Sequence, residues 1–374
     1  MTTKKIRNVW NEITSFQNLY DAYINARRNK RFRREVLVFS ENLEQNLFRL
    51  QYELRTHKYH AGKFRQFFVY DPKKRLIMAL PFRDRVVQWA IYQVVNPVFT
   101  AGYITDSYGC IKNKGKEKAA QRIQYWLRKE MKNPEKKMYF LKLDICKYYY
   151  RINHEVVLGI LKKKIYDEEL MWYFEQTINC DTMAFGLPLG KSADEVPQEE
   201  RLFDVGMPIG SLMSQMFANI NLNQLDQLCK RELSIKYYIR YMDDVIILCD
   251  NKPQLHEWKK AIEEFLNQKL KLHLNNKTAL RPVTLGIDFC GYKIWNTHIK
   301  LRKSTVLRMK RRLKHLTKEY AAGEVSVKDI KQTLASYHGL LKTCDSYSLR
   351  SAISKTYVFK REWDKIEKKD NAPE

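Results

Sequence analysis

Asp243 and Asp244 lie side by side between two largely apolar stretches, Ile235–Arg240 and Val245–Cys249. The pattern reads as a hairpin with buried arms and a tight turn at Tyr241-Met242-Asp243-Asp244. Two carboxylates at that place constrain the fold severely. A carboxylate held against an apolar strand needs a partner or a metal, because burying it alone is unfavourable. Neighbouring carboxylates also repel each other, which a divalent cation relieves. A bare Asp-Asp would sooner be a polar turn, since Asp is common in turns. Here, however, a second strand-end carboxylate, Asp144, closes the apolar stretch Met138–Asp144 well upstream. Mg²⁺ prefers a few carboxylates together with water and substrate phosphates. Two such ions about 4 Å apart stabilise both oxygens of an in-line phosphoryl displacement.

Charge points to the partner. Across 374 residues, 68 Lys+Arg stand against 42 Asp+Glu, a formal charge of +26. With a pI near 9.6, the chain suits a polyanion. One cluster is Arg27, Arg28, Lys30, Arg31, Arg33 and Arg34; another, Lys300–Lys318, holds nine Lys/Arg and no acid. A single cluster is usually a solvated helix face. Two of them on so basic a chain favour nucleic acid. A membrane-surface protein would concentrate its charge on an amphipathic helix or a tail. No apolar run approaches the roughly 20 residues of a spanning helix. Met1–Trp10 has no apolar core of a secretory signal. The 44% hydrophobic content excludes a disordered chain. Seven scattered Cys without a C-x-x-C pair predict reduced thiols in the cytosol and no structural zinc. The His residues are not clustered, and neither a Ser-His-Asp set nor a Walker-type P-loop is present.

Along the chain, residues 12–60 read as helices, with Leu43, Leu47, Leu50 and Leu54 at helical spacing. Phe64–Tyr70 and Arg75–Leu80 read as a hairpin around the turn Asp71-Pro72-Lys73-Lys74. A helix runs from Pro81 to about Val95, with Asp84 favoured near its N-terminus. Further helices are expected at 116–131, from His154, at 211–233 and at 254–270, and short strands at 286–295 and 298–301. The last 70 or so residues read as basic helices, and 181–205 as loop. Gly186-Leu187-Pro188-Leu189-Gly190 echoes Gly206-Met207-Pro208-Ile209-Gly210. The second copy leads into a good helix and is taken as the working one. The first is taken as coincidence, since the neighbouring residues do not repeat.

Taken in order, these motifs resemble those of reverse transcriptases. Tyr241-Met242-Asp243-Asp244 looks like their YxDD box, and Phe140-Leu141-Lys142-Leu143-Asp144-Ile145 like their first palm motif. Arg75–Gln88 is similar to the fingers segment of bacterial and group II intron enzymes, and Ser107-Tyr108-Gly109-Cys110 with Lys112 and Lys114 to the next one. Leu272–Thr278 and Phe289-Cys290-Gly291-Tyr292 resemble the last palm boxes. The resemblance spans residues 70–300. It implies an α+β right-hand polymerase fold: N-terminal helices and fingers over 1–137, an antiparallel-sheet-and-helix palm over 138–297 with a fingers-like insertion at about 165–205, and a basic helical thumb over 298–374. Ile209-Gly210-Ser211 with Ser214-Gln215, and Ser336–Lys342 followed by Leu349-Arg350, resemble the enzymes of diversity-generating retroelements. Group II intron enzymes usually show Gln-Gly and Ser-Pro at the former place. No maturase or endonuclease extension fits in the remaining length.

The resemblance assigns roles residue by residue. Asp144, Asp243 and Asp244, with the Ile145 carbonyl, would hold two Mg²⁺ (Mn²⁺ being a substitute). Lys74, Arg75, Tyr149, Ile209, Gly210, Ser211 and Gln215 would contact the nucleotide. Tyr149 would exclude a 2′ hydroxyl, although Tyr148 and Tyr150 flank it and one of the three could be core. Tyr241, Met242, Lys277, Lys303, Arg308, Arg311 and Arg312 would contact primer and template. The implied activity is RNA-directed DNA synthesis on a structured RNA in a bacterial or phage-encoded cytoplasmic system. RNA template, RNA–DNA duplex, dNTPs and a small basic pentameric accessory protein are the implied partners, with no membrane. The alternatives are a defence-associated enzyme using a dedicated noncoding RNA, and a non-catalytic RNA-binding protein on a polymerase fold.

Overall fold

The computed structural model describes residues 5–70, 74–133 and 135–361. The expected turn residues Asp71, Pro72 and Lys73 lie outside the described residues, as do residues 1–4 and the last stretch of the basic C-terminal segment, 362–374. Helices α1 (Trp10–Ile13), α2 (Phe16–Ala26), α3 (Arg34–Glu41) and α4 (Leu43–Arg55) precede strands β1 (Arg65–Val69) and β2 (Arg75–Ala79). Next come α5 (Phe82–Thr100), α6 (Lys116–Glu130), β3 (Tyr139–Asp144), α7 (Tyr148–Arg151), α8 (His154–Lys162), α9 (Glu168–Ile178) and α10 (Leu212–Gln227). Strands β4 (Tyr237–Tyr241) and β5 (Asp244–Cys249) form the acidic hairpin, followed by α11 (Lys252–Phe265), β6 (Ala279–Pro282), β7 (Ile287–Phe289), β8 (Tyr292–Ile294) and β9 (Ile299–Leu301). The chain ends in α12 (Lys303–Ala321), α13 (Val327–Leu341) and α14 (Tyr347–Thr356). The one-turn helix α7 and the strand β6 were not expected from the sequence.

Strands are arranged as a β1-β2 pair, a four-stranded sheet in the order β4-β5-β3-β6 and a three-stranded sheet β7-β8-β9. The chain forms two compact units. One comprises Met1–Asn113, Lys142–Val245 and Pro253–Ala279; the other comprises Lys114–Leu141, Ile246–Lys252 and Leu280–Glu374.

In the first unit, α2 buries Leu19, Ala22, Tyr23 and Ala26, one stripe of an amphipathic helix, and packs on α5. Burying a large apolar side chain such as Leu19 contributes roughly 1.5–3 kcal/mol before entropy is counted, and an alanine methyl less. The Tyr23 ring sits edge-on to Phe82, with centroids 6.1 Å apart. Asn18 Nδ2 ties α2 to α5 by donating to the Ala90 carbonyl at 3.0 Å. Helix α10 is buried on nearly every side, Met213, Phe217, Ile220 and Leu225 among its core residues, as expected of a helix with apolar residues all round.

In the second unit, strict alternation sets the register of the small sheet. Ile287, Phe289, Tyr292, Ile294, Ile299 and Leu301 are buried. Asp288 pairs across with Lys293, and Lys293 with Lys300, on the opposite face. Helix α12 buries Met309, Leu313 and Leu316, and α13 starts in a full capping box of Ser326 and Asp329.

Candidate active site

The acidic site lies in the first unit. Its first carboxylate, Asp144, is the last residue of β3. The segment 273–275 holds that strand end: Asn275 N–H donates to the Asp144 carbonyl at 2.7 Å, and Cys146 N–H to the His273 carbonyl at 2.8 Å. Ile145 is buried and pairs antiparallel with Leu274. Lys142, two residues before Asp144, shares its face of the strand, and its Nζ lies 3.6 Å from Asp244 Oδ1. Lys142 is a cation that motif spacing did not single out as part of the site.

The other two carboxylates follow Met242, whose φ of 55° places a non-glycine residue in the left-handed region. Such conformations persist only where the surroundings over-determine them. Gly109 presses on this turn: a Cβ there would stand 2.6 Å from the Met242 nitrogen. Burial pushes the Asp243 carboxyl up to about 6; repulsion from Asp244 and then from Asp144 adds to it, and Arg75 opposes it. The three carboxylates are therefore close enough for their charges to interact. Among the described residues, no group of three or more His, Cys, Asp or Glu side chains forms a ready metal cage. Carboxylate oxygens are the donor type that suits Mg²⁺, which would complete its shell with water and substrate phosphates.

Arg75 opens β2 and reaches the site electrostatically: its charge acts on Asp243, Tyr149 and Tyr150. Lys74 is engaged elsewhere, 3.0 Å from Asp194 Oδ2 and above the Phe68 ring. The three tyrosines of α7 separate. Tyr148 is the core member, fully buried, with its hydroxyl donating to the Ala218 carbonyl at 2.6 Å. Tyr149 is half-buried, and the charge of Asp243 reaches it as it reaches Tyr148. Burial raises the Tyr149 hydroxyl pKa, and Cys110 and Asp243 raise it further.

Ile209, Gly210 and Ser211 are clamped to the β1–β2 side of this unit. Met78 N–H donates to the Ile209 carbonyl at 2.9 Å. Gly210 has φ 115°, and a Cβ there would meet Ile77 Cγ2 at 3.1 Å, so the position requires glycine. The Ser211 hydroxyl is buried, caps α10 and accepts from Gln88 Nε2 at 3.0 Å. Gln215 Oε1 accepts from Cys110 Sγ at 3.3 Å. Lys277 is exposed at a bend where its own N–H donates to Asn275 Oδ1 at 3.2 Å. Gln88, buried and bonded to both Ser211 and the Leu212 N–H, had no role in the sequence reading.

The echo between 186–190 and 206–210 is not coincidence. A Cβ on Gly206 would stand 2.6 Å from the Gly186 nitrogen, so the two backbones touch. Both copies dock on α7, with Leu187 N–H donating to the Tyr150 carbonyl and Met207 N–H to the Tyr149 carbonyl. Gly186 and Gly206 are both glycine because no side chain fits between the two segments there; at Gly190 nothing lies within 4 Å of where a Cβ would be.

A family model for reverse transcriptase (RNA-dependent DNA polymerase) matches residues 70–294, well over half of the chain. The chain belongs to the reverse transcriptase family. Its α+β architecture is accordingly a right-hand polymerase fold, and the matched segment is an RNA-directed DNA polymerase domain, a nucleotidyltransferase. Protein YkfC of Escherichia coli (strain K12) is 26% identical over 263 residues, covering 60% of this chain and 65% of that protein. The chain thus spans slightly less than two thirds of that relative. Among solved structures, apo telomerase from Candida tropicalis has a TM-score of 0.49 at 14% identity, covering 85% of this chain and 65% of that one. Telomerase from Candida tropicalis in complex with a TWJ fragment of telomeric RNA has a TM-score of 0.44 at 16% identity, covering 85% and 60%.

The reverse transcriptase match contains every acidic, nucleotide-side and turn residue named above. Lys303, Arg308, Arg311 and Arg312 lie beyond it, exposed on α12, and Arg312 is paired with Glu319 at 2.8 Å. Among the described residues, no helix is long and apolar enough to cross a membrane.

Proposed function

We propose that this chain synthesises DNA on a structured RNA template and serves a diversity-generating retroelement. The reading of the site rests on one observation: Asp243 and Asp244 stand at the tip of the β4–β5 hairpin, and β5 lies beside β3, which ends in Asp144. A divalent cation would relieve the repulsion within such a cluster and favour its ionised form. Asp144, Asp243, Asp244 and the Ile145 carbonyl would hold two Mg²⁺, which supply activation of the primer hydroxyl and neutralisation of the triphosphate. Arg75 offers a guanidinium fork to phosphate. Tyr241, Met242 and Lys277 face the primer terminus in this reading, and Lys74, Ile209, Gly210, Ser211 and Gln215 frame the nucleotide and template base. Residues 1–137, 138–297 and 298–374 serve as fingers, palm and thumb. The Ile209-Gly210-Ser211 and Ser214-Gln215 pattern supports the retroelement assignment, and with it a basic pentameric accessory protein and a cytoplasmic setting.

Primer extension on the native locus RNA with Mg²⁺, followed by sequencing of the cDNA, tests the reading. Substitutions concentrated opposite template adenines are expected. A faithful cDNA from a fixed noncoding RNA would replace the retroelement role with a defence role. RNA binding without synthesis would leave a non-catalytic protein.

Two further outcomes follow. Tyr149→Ala removes the ring that excludes a 2′ hydroxyl, so ribonucleotide incorporation relative to deoxyribonucleotide should rise about tenfold or more. Unchanged selectivity in single-nucleotide extension would remove Tyr149 from that role. Binding of an RNA–DNA duplex should weaken steeply with salt, and Arg308→Ala with Arg311→Ala should reduce the log–log slope by about 2. A slope that does not change would exclude α12 from the phosphate footprint.

A further inference from the structure

Beneath the acidic turn lies a guanidinium that the reaction itself does not call for. Arg240 is fully buried, and so is its counter-charge Asp226 on α10. All five N–H donors of an arginine are engaged. Nε donates to Asp226 Oδ1 at 2.7 Å, and Nη2 to Asp226 Oδ2 at 2.7 Å and Ser107 Oγ at 3.1 Å. Nη1 donates to Asn219 Oδ1 at 3.1 Å and to the Met242 carbonyl at 3.0 Å. Tyr238 adds a third donor to Asp226, 2.7 Å from Oδ1. The backbone of Arg240 is also held: its N–H donates to the Asp106 carbonyl at 3.0 Å, and its carbonyl accepts from Tyr108 N–H at 2.9 Å.

A buried ion pair is by itself weak support for stability, because apolar residues of similar volume often do as well. The fifth bond distinguishes this pair. It ends on the carbonyl of Met242, the left-handed residue immediately before Asp243. Gly109 closes on the Met242 nitrogen, in the preceding peptide, and its carbonyl accepts from Asn219 Nδ2 at 2.9 Å. Asn219 thus bonds both the guanidinium and the loop that presses on the turn.

We infer that Arg240, neutralised by Asp226 and braced by Asn219, is a positioning residue that fixes the Met242 peptide and so aims Asp243 and Asp244 at the metal ions. The inference rests on the reading of those carboxylates as metal ligands. A lysine keeps the charge, but its single ammonium cannot span both Asp226 and the Met242 carbonyl.

The test compares wild type, Arg240→Lys, Asn219→Ala and Asp243→Asn, each normalised to its folded fraction by circular dichroism. Primer-extension kinetics are measured together with Mn²⁺ affinity of the substrate-free protein by electron paramagnetic resonance. Arg240→Lys should lose about tenfold to a hundredfold in kcat, with the KM for dNTP nearly unchanged and weaker Mn²⁺ binding per folded molecule. Asn219→Ala, which removes one acceptor, should lose about three- to tenfold in kcat. A merely structural role would lower the folded fraction and leave Mn²⁺ affinity per folded molecule intact, and that result overturns the inference. If Arg240→Lys does not fold, Asn219→Ala decides: wild-type kcat and Mn²⁺ affinity overturn the inference. An active Asp243→Asn would instead sink the reading of the metal site itself.

Discussion

Asp243→Asn abolishes primer extension and, without metal, makes the protein more stable at neutral pH. The first effect should exceed about a thousandfold, because a neutral amide supplies no charge to the ions that stabilise the transition state. The second follows from linkage. The folded-state pKa of Asp243 is raised from 3.8 to about 6, by burial first and then by Asp244 and Asp144. Between those values the folded state binds the proton more tightly than the unfolded chain. Stability therefore falls as pH rises from about 4 through about 6, and the full penalty stands above that. A shift of this size corresponds to at most about 3 kcal/mol. Asn carries no such penalty. In chelator at pH 7.5 the variant should melt above wild type, and the gap should close as pH falls through the window. Mg²⁺ should reverse the order by stabilising wild type more. Equal melting points in chelator at pH 7.5 would show that neither burial nor repulsion raises the Asp243 carboxyl in the folded protein.

The site was legible where local pattern and chemistry coincide. The acidic hairpin stands out because both arms are apolar, so its carboxylates are conspicuous. Asp144 stands out because it ends a strand with buried Phe140, Leu141 and Leu143. The β1–β2 hairpin was readable from two strand-like runs on either side of a turn signal, even with Asp71, Pro72 and Lys73 outside the described range. What stayed hidden depends on partners remote in sequence. Asp226 appears as one more polar residue in a long helix, and only the folded chain shows it against Arg240. Lys142 is an ordinary strand lysine until β5 lies beside β3. The choice among Tyr148, Tyr149 and Tyr150 depends on α7, a single turn with no capping signature. The glycine echo was set aside because neighbouring residues do not repeat. Its cause is steric, a contact between two backbones that no sequence period reports.

The largest stability effect is expected from Asp226→Ala. Burial alone pulls the Arg240 guanidinium toward losing its proton, and the Asp226 carboxylate more than offsets this, leaving its pKa above the ordinary value. Removing the carboxylate strands a charge in a fully buried position and takes the acceptor from the Tyr238 hydroxyl. Breaking one side of such a pair costs about 3–5 kcal/mol, a large part of the stability of an ordinary domain. Urea unfolding should show it as a lower midpoint, and an unchanged midpoint would mean that the guanidinium is solvated after all. The double substitution Asp226→Leu with Arg240→Met removes both charges while filling similar space. It should recover much of the lost stability. It should not recover synthesis, because no donor then reaches the Met242 carbonyl. Stability and activity separate in this pair because the charges neutralise each other within the core, whereas the turn depends on the single guanidinium N–H that reaches the Met242 carbonyl.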